Sequence, residues 1–319
     1  MTGAFPLVSI AMGTCNGEKF LRQQLDSIYA QTYPSIEVVV SDDRSVDGTV
    51  RILEEYRRRH GLAYSVNETR LGYRGNFARA ASMCNGAYIA FSDQDDIFLP
   101  SKIETLVGEI GRYSLIYSDA ALVDEKGAVF APSYMRYVNH PMLTGKRFRE
   151  LVFSCFIRGF QVLFTRELLH AALPMPDRVT HDDWFTILAA KLGGIRYLDR
   201  PLVHYRQHAG NVTGSLARFS ALRQFASVAR NFGNRQANED RRKGYRAIVE
   251  KLDSLCGNPA FDAAEKEFIT EVATFYRNQV DSVIHWRSFL IALKNYRVIA
   301  PQKSIPIKAK FLAAALLHR

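Results

Sequence analysis

The chain has 319 residues, 47% of them apolar and 23% charged. That balance excludes wholesale disorder, collagen and coiled coil, and leaves room for one large or two modest domains. The net charge of +10 is lopsided: residues 1–215 hold 24 Lys/Arg against 23 Asp/Glu, and residues 216–319 hold 18 against 9. After Asp281 there are seven cations (Arg287, Lys294, Arg297, Lys303, Lys308, Lys310 and Arg319) and no acid. A neutral body with a basic end seeks anionic lipid, nucleic acid or an acidic partner. No apolar run reaches the ~18 residues of a spanning helix. The opening MTGAFPLVSIAMGT has neither a basic n-region nor a small-residue cleavage site, so it reads as a first strand and not as a signal peptide. Cys15, Cys84, Cys155 and Cys256 form no CxxC pair, which points to buried free thiols in a reducing compartment.

In chain order, Leu7–Met12 is a short apolar strand ending in a Gly-Thr-Cys-Asn-Gly turn. Phe20, Leu21, Leu25 and Ile28 stand at helical spacing over 18–31, and Tyr33-Pro34 stops that helix. Ile36–Val40 is a β-branched strand buried on both faces. Asp47-Gly-Thr opens a second helix to about His60, with Asp47 as its cap. A third strand near Leu62–Val66 precedes a turn and a helix around Asn76–Met83. Ala87–Phe91 is a fourth strand, and Pro100 stands where another helix begins. Strands alternating with helices predict an α/β fold, a mostly parallel sheet covered on both faces.

Strand two ends in Ser41-Asp42-Asp43 and strand four in Ser92-Asp93-Gln94-Asp95-Asp96. Ligands of open parallel sheets bind outside the carboxyl ends of strands, so both acidic groups fall on one rim. A single loop aspartate is usually a solvated or capping residue; five at two strand ends repel one another unless a cation is present. Mg²⁺ or Mn²⁺, bound by carboxylate and phosphate oxygens, suits such a set. Gly13, Gly17 and Lys19 have the wrong spacing for a P-loop, and no GxGxxG follows a strand. Asp93-Gln94-Asp95 also resembles the DxDx[TV] of aspartyl-phosphate phosphatases, but that family carries it on the first strand.

Five ordered segments carry a closer likeness: VSIAMGTCNGEKFLRQQLDSIYAQTYPSIEVVVSDDRSVDGT, NETRLGYRGNFARAA, GAYIAFSDQDDIFLPSKIE, HDDWF and YRQHAGNVTGS. Together, over about residues 7–215, they resemble the family 2 glycosyltransferases of GT-A fold, and the SDQDD, HDDW and YRQH combination resembles the bacterial rhamnosyltransferase-like branch. The resemblance implies a Rossmann-like GT-A catalytic domain over 1–215 and a basic, helical C-terminal region over 216–319. It further implies a nucleoside-diphosphate sugar donor, transfer with inversion to a lipid-linked oligosaccharide or other surface-polysaccharide acceptor, and a divalent cation, Mn²⁺ or Mg²⁺. Asp93 and Asp95 match the DxD pair and, with His208, make the metal set; Asp95 is the direct ligand, and Asp93 also reaches ribose or donor sugar. Asp96 either orients that sugar or caps the next helix. Thr14, Asn16, Asp42 and Asn67 fall where the nucleotide packs. Many relatives have a basic residue at Gly75, and either Arg74 or Arg70 takes over its contact.

An acceptor hydroxyl needs a carboxylate to take its proton. Asp182 matches the family's base, with Asp183 as fallback, since either acid can instead cap a helix N-terminus. Trp184, Ile187, Leu188 and Leu192 read as core. His208 resembles the late histidine that completes some metal shells, and Arg206 is positioned to neutralise the diphosphate. Asn211-Val-Thr-Gly-Ser reads as a loop able to close over donor.

Val283, Trp286, Leu290 and Leu293 form an apolar helical stripe beside Arg287 and Lys294, and IKAKFLAAALLHR repeats the theme. Such segments lie in a membrane interface, pack on the body or make an oligomer contact. The first option places a cytoplasmic protein peripherally on the inner face of the cell membrane. A rival reading makes the chain a non-catalytic membrane-surface or nucleic-acid-binding protein; the acidic crevice argues against nucleic acid there.

Overall fold

The computed structural model describes residues 5–211, 235–281 and 286–295. The end of the expected closing loop (212–215) and everything after 295, including IKAKFLAAALLHR, lie outside them. Two compact units emerge: residues 5–148, 156–175 and 180–211 form one, and residues 149–155 and 176–179 join the later helices in the other.

The first unit holds a nine-stranded sheet. Its strands are β1 (Val8–Thr14), β2 (Ile36–Asp42), β3 (Ala63–Val66), β4 (Tyr88–Ser92), β5 (Ile97–Phe98), β6 (Leu115–Val123), β7 (Val129–Ala131), β8 (Val162–Thr165) and β9 (Ile195–Arg206). Their order is β3-β2-β1-β4-β8-β6-β9-β5, with β7 on β6. The block β3-β2-β1-β4 is parallel. β8 then enters antiparallel between β4 and β6, and β6 pairs in parallel with β9. Every residue of β6 and all of β1 except Gly13 is buried, as continuous apolar strands covered on both faces require.

Register puts the functional ends together. Thr14 lies opposite Asp42, and Met12 opposite Ser92, so β1, β2 and β4 stop on one rim. β5 pairs antiparallel with β9, Ile97 opposite His204, which stitches the segment after the DxD pair to the strand delivering Arg206 and His208.

Helices α1 (Glu18–Tyr29), α2 (Thr49–His60), α3 (Gly72–Ser82), α4 (Lys102–Glu109), α5 (Tyr134–Tyr137), α6 (Phe148–Phe153), α7 (Arg166–Ala172) and α8 (His181–Lys191) follow. Asp47 caps as expected, accepting from the Thr49 N–H at 3.0 Å. α3 starts four residues before the expected Asn76, because the Asp43 carboxylate accepts from the Leu71 and Gly72 N–H groups at 2.6 and 2.9 Å and satisfies its first turn. In α8, Trp184, Ile187 and Leu188 are core, but Leu192 lies past the helix end and is 41% exposed. Only Cys84 of the four free thiols is fully buried; the others are half-buried.

The second unit contains, besides nearly all of α6, the helices α9 (Arg235–Cys256), α10 (Ala263–Asp281) and α11 (Trp286–Lys294). Leu252, Leu255, Ile269, Val272 and Ala292 are buried, whereas Leu290 and Leu293 are exposed. Among the described residues no helix is long and apolar enough to cross a membrane.

Candidate functional site

The floor of the crevice is a hydrogen-bonded lattice. The Asp42 carboxylate accepts from Thr14 Oγ1 at 2.8 Å, Ser45 N at 2.9 Å and Ser45 Oγ at 2.6 Å. Asn67 Nδ2 donates to Asp43 and to Asn76, while its Oδ1 accepts from Ser41 Oγ. All of these residues except Ser45 are buried. Thr14, Asp42 and Asn67, expected as nucleotide contacts, thus engage their polar atoms with the protein, as buried polar groups must, and build the floor. Asn16 is exposed in the left-handed region at φ 50° and binds Val46 N through Oδ1. Arg74 lies over the Tyr73 ring at 5.7 Å. Arg70 is the one whose charge reaches the Cys15 thiol in the first turn, where burial is the larger influence and raises its pKa.

Gln94, the middle residue of the DxD, was not singled out by sequence reasoning. Its carboxamide accepts from Cys15 N at 2.9 Å and donates to Cys15 O at 3.2 Å, tying the end of β4 to the end of β1. A Cβ at Gly17 would collide with this carboxamide, which is why the turn needs glycine.

Asp95 and His208 converge. His208 Nε2 lies 2.8 Å from Asp95 Oδ2, and its Nδ1 accepts from Gly210 N at 3.1 Å. Among the described residues no third His, Cys, Asp or Glu completes a ready-made metal cluster. A carboxylate and an imidazole fit a hard divalent ion that completes its shell with water and substrate phosphate.

Crowding shapes the other acids. Burial first, then the charges of Asp95 and Asp182, push the half-buried Asp93 carboxyl up to about 8, with Arg158 and Lys102 opposing. Burial, then Asp95 and Asp93, raise Asp96 well above the usual carboxylate range. Its Oδ1 accepts from Arg206 N at 3.0 Å, and its buried Oδ2 has no partner among the described residues. Asp96 therefore anchors the β9 end and caps no helix. Lys102 is wholly buried, donating to Phe160 O at 2.7 Å and lying 3.3 Å from the Phe98 ring centre; burial drives its pKa well down against Asp96 and Asp93. One signal for it was legible: a cation in the first turn of a helix opposes the dipole and calls for nearby acids.

Arg206 departs from the expectation of a diphosphate ligand. It is 1% exposed and donates to Asp95 O at 2.9 Å, Glu125 O at 2.8 Å and Gln23 Oε1 at 2.6 Å, over the Phe20 ring. Those bonds make it a strut that fixes the carbonyl of Asp95.

On the other side of the crevice, Thr180 Oγ1 accepts from Asp183 N at 3.3 Å and starts α8. That places Asp182 on the first turn, its side chain 16% exposed, with Oδ1 3.6 Å from His181 Nδ1. The His181 ring stacks on Phe77 at 3.9 Å and meets Phe91 edge-on. Among the described residues neither of its nitrogens has a hydrogen-bond partner, and burial lowers its pKa against Asp182 and Asp183. Gly159 packs against this ring: a Cβ there would stand 2.7 Å from His181 Nε2. Asp93 feels the charge of Asp182, so the DxD end and the α8 acid share one space.

Comparison with known proteins places this geometry. Residues 9–170 match the family model described as Glycosyl transferase family 2. The dTDP-rhamnosyl transferase RfbG of Shigella flexneri is 28% identical over 268 residues, covering 78% of this chain and 86% of its own. Two solved structures share the fold. One is S. aureus TarS 1-349 in complex with UDP-GlcNAc, with TM-score 0.58 and 18% identity over 97% of this chain and 81% of that one. The other is the mannosyltransferase PcManGT from Pyrobaculum calidifontis in complex with GDP-Man and Mn²⁺, with TM-score 0.53 and 20% identity over 97% and 79%. With half of its length matched by that model, and with its acids gathered at the carboxyl rim of a GT-A sheet, the chain belongs to glycosyl transferase family 2 and is a glycosyltransferase that uses a nucleotide-sugar donor.

Proposed function

We propose that the protein transfers a hexosyl group, of the rhamnose kind, from a nucleoside diphosphate to a hydroxyl of a lipid-linked saccharide, with inversion at the anomeric carbon. The observation carrying this reading is the Asp95–His208 pair at the carboxyl rim of the sheet; the α8 acid Asp182, whose charge reaches Asp93, supports it. The rhamnose assignment draws support from the likeness to RfbG.

In the reaction the acceptor oxygen bonds to the anomeric carbon as the bond to the diphosphate oxygen breaks. The bonding pair leaves with the diphosphate, and the hydroxyl proton goes to Asp182 Oδ, with Asp183 as the alternative. Asp182 suits the task because it has no hydrogen bond among the described residues and stays within solvent reach. Asp95 and His208 would hold a divalent cation, which when bound would supply positive charge where the leaving group develops its negative charge. Gln94 and Arg206 hold the backbone on which Asp95 sits, so its carboxylate meets the donor without reorganising.

A thermal-shift screen of UDP-, GDP- and dTDP-sugars with and without Mn²⁺ tests this. A bound donor at a hundredfold excess over Kd adds about 2.7 kcal/mol, several degrees in Tm. No shift with any nucleotide favours the non-catalytic rival.

The acceptor assignment rests on the basic end. Leu290 and Leu293 are 60% and 51% exposed on α11 beside Lys294, and each cation near anionic lipid contributes about 1 kcal/mol. The intact protein is expected to sediment with anionic liposomes at low salt and to be released at high salt. A chain cut after Asn295 with Leu290→Ser and Leu293→Ser is expected to stay in the supernatant. Equal binding by both proteins would place the contact elsewhere.

A further inference from the structure

His181 opens α8 and is 5% exposed, yet both of its ring nitrogens are buried without a hydrogen-bond partner among the described residues. Three walls fix the ring. Phe77 of α3 stacks on it at 3.9 Å and 17°, and Phe91 of β4 meets it edge-on at 4.9 Å and 79°. The third wall is the main chain at Gly159, where a Cβ would stand 2.7 Å from Nε2 and 3.4 Å from Cδ2. A side chain at that position would drive the ring out of place. Both phenylalanines are buried, and the helix itself is held by Trp184 Nε1, which donates to Ala172 O at 2.6 Å.

The two nitrogens have different surroundings. Nε2 is turned to the bare face of Gly159 and finds no acceptor there among the described residues. Nδ1 stands 3.6 Å from Asp182 Oδ1. Burial keeps the ring neutral, so it carries a single N–H, and the nearby acceptor decides which nitrogen holds it. The carboxylate assigns that proton to Nδ1. A separation of 3.6 Å is too long for a hydrogen bond, and a closure of about 0.6 Å would make one of ordinary length. Catalytic hydrogen bonds are often long in the free enzyme and tighten when substrate fills the site. As a mere filler between two phenylalanines the ring would be a poor choice, because a buried N–H with no acceptor carries its full desolvation cost.

We propose that His181 is a positioning residue for the base: its Nδ1–H holds Asp182 Oδ1, leaving Oδ2 to take the proton of the acceptor hydroxyl. This rests on the reaction proposed above, in which Asp182 is the base. When the acceptor O–H bond breaks, the proton goes to Asp182 Oδ2 and the electron pair stays on the oxygen that bonds to the anomeric carbon. The imidazole keeps its own proton throughout.

Two measurements test this. The first needs no substrate: nitrogen-15 spectra of the full-length protein labelled at histidine, with His181 assigned by comparison with His181→Asn. The expected result is a proton on Nδ1 and a resonance that moves in Asp182→Asn. A proton on Nε2, or a resonance indifferent to Asp182→Asn, overturns the proposal. The second is turnover with Mn²⁺, read as nucleoside diphosphate released from UDP-GlcNAc, GDP-mannose or dTDP-rhamnose with water as acceptor. His181→Leu is expected to lower kcat at least ~10-fold with donor KM within about twofold, while His181→Asn, whose amide nitrogen takes the place of Nδ1, keeps kcat within about threefold. Equal losses in the two variants would make His181 a packing residue and overturn the proposal. So would an unimpaired His181→Leu, or a further loss when His181→Leu is added to Asp182→Asn. An intact kcat in Asp182→Asn, or a wild type that turns over none of the three donors, overturns the reaction itself; the spectrum decides the His181–Asp182 contact independently of it.

Discussion

Asp182→Asn is expected to lower kcat at least ~10²-fold while leaving donor affinity nearly unchanged. The substitution keeps the size of the side chain and the first turn of α8, whose cap is the Thr180 hydroxyl on Asp183 N, and removes only the capacity to accept a proton. Steady-state kinetics with the acceptor, beside calorimetry with the donor, separate the two effects. A fall in donor affinity as large as that in kcat would show that Asp182 binds the donor. Asp183→Asn supplies the internal control: if it abolishes turnover and Asp182→Asn does not, the base is Asp183.

Asp95→Ala is expected to eliminate measurable turnover and the Mn²⁺-dependent part of donor binding. Loss of the carboxylate leaves His208 Nε2 without its 2.8 Å partner and leaves one protein ligand where two were present. The Asp95 carbonyl stays where Arg206 holds it, so the loss is not one of folding, and circular dichroism should match wild type. EDTA should reproduce the effect in the native protein, and added Mn²⁺ or Mg²⁺ should reverse it there but not in the variant. Full activity in EDTA would remove the cation from the mechanism.

The rim of the sheet was legible because strands of a parallel block end together: placing Asp42 and Asp95 at or just after the ends of β2 and β4 put them on one edge, and register agrees. The onset of α3 was not, since its cap is Asp43, 28 residues away; nothing local in Arg70-Leu71-Gly72 announces it. The setting of Arg206 was not legible for a related reason. A charged residue at a strand end reads as facing a ligand, and only the fold reveals that Gln23, Asp95 and Glu125 surround it. Lys102 carries no motif; its meaning arises when the first turn of α4 packs inward and Lys102 donates to Phe160 O beside the Phe98 ring. The antiparallel entry of β8 between β4 and β6 is a matter of strand order, which periodicity does not encode.

The weaving of residues 149–155 into the second unit has a consequence for how this architecture can be altered. Tyr276 Oη donates to Phe153 O at 2.9 Å, Phe153 packs on Phe275, and Arg149 lies 4.0 Å from the centre of the Phe268 ring. A chain stopped at residue 215 would strip those partners from Leu151, Val152 and Phe153 and leave an apolar segment bare in the middle of the catalytic half. The two units are spliced rather than appended. Exchange of the C-terminal helices between related transferases, by recombination or by engineering, must carry this internal heptapeptide along with them.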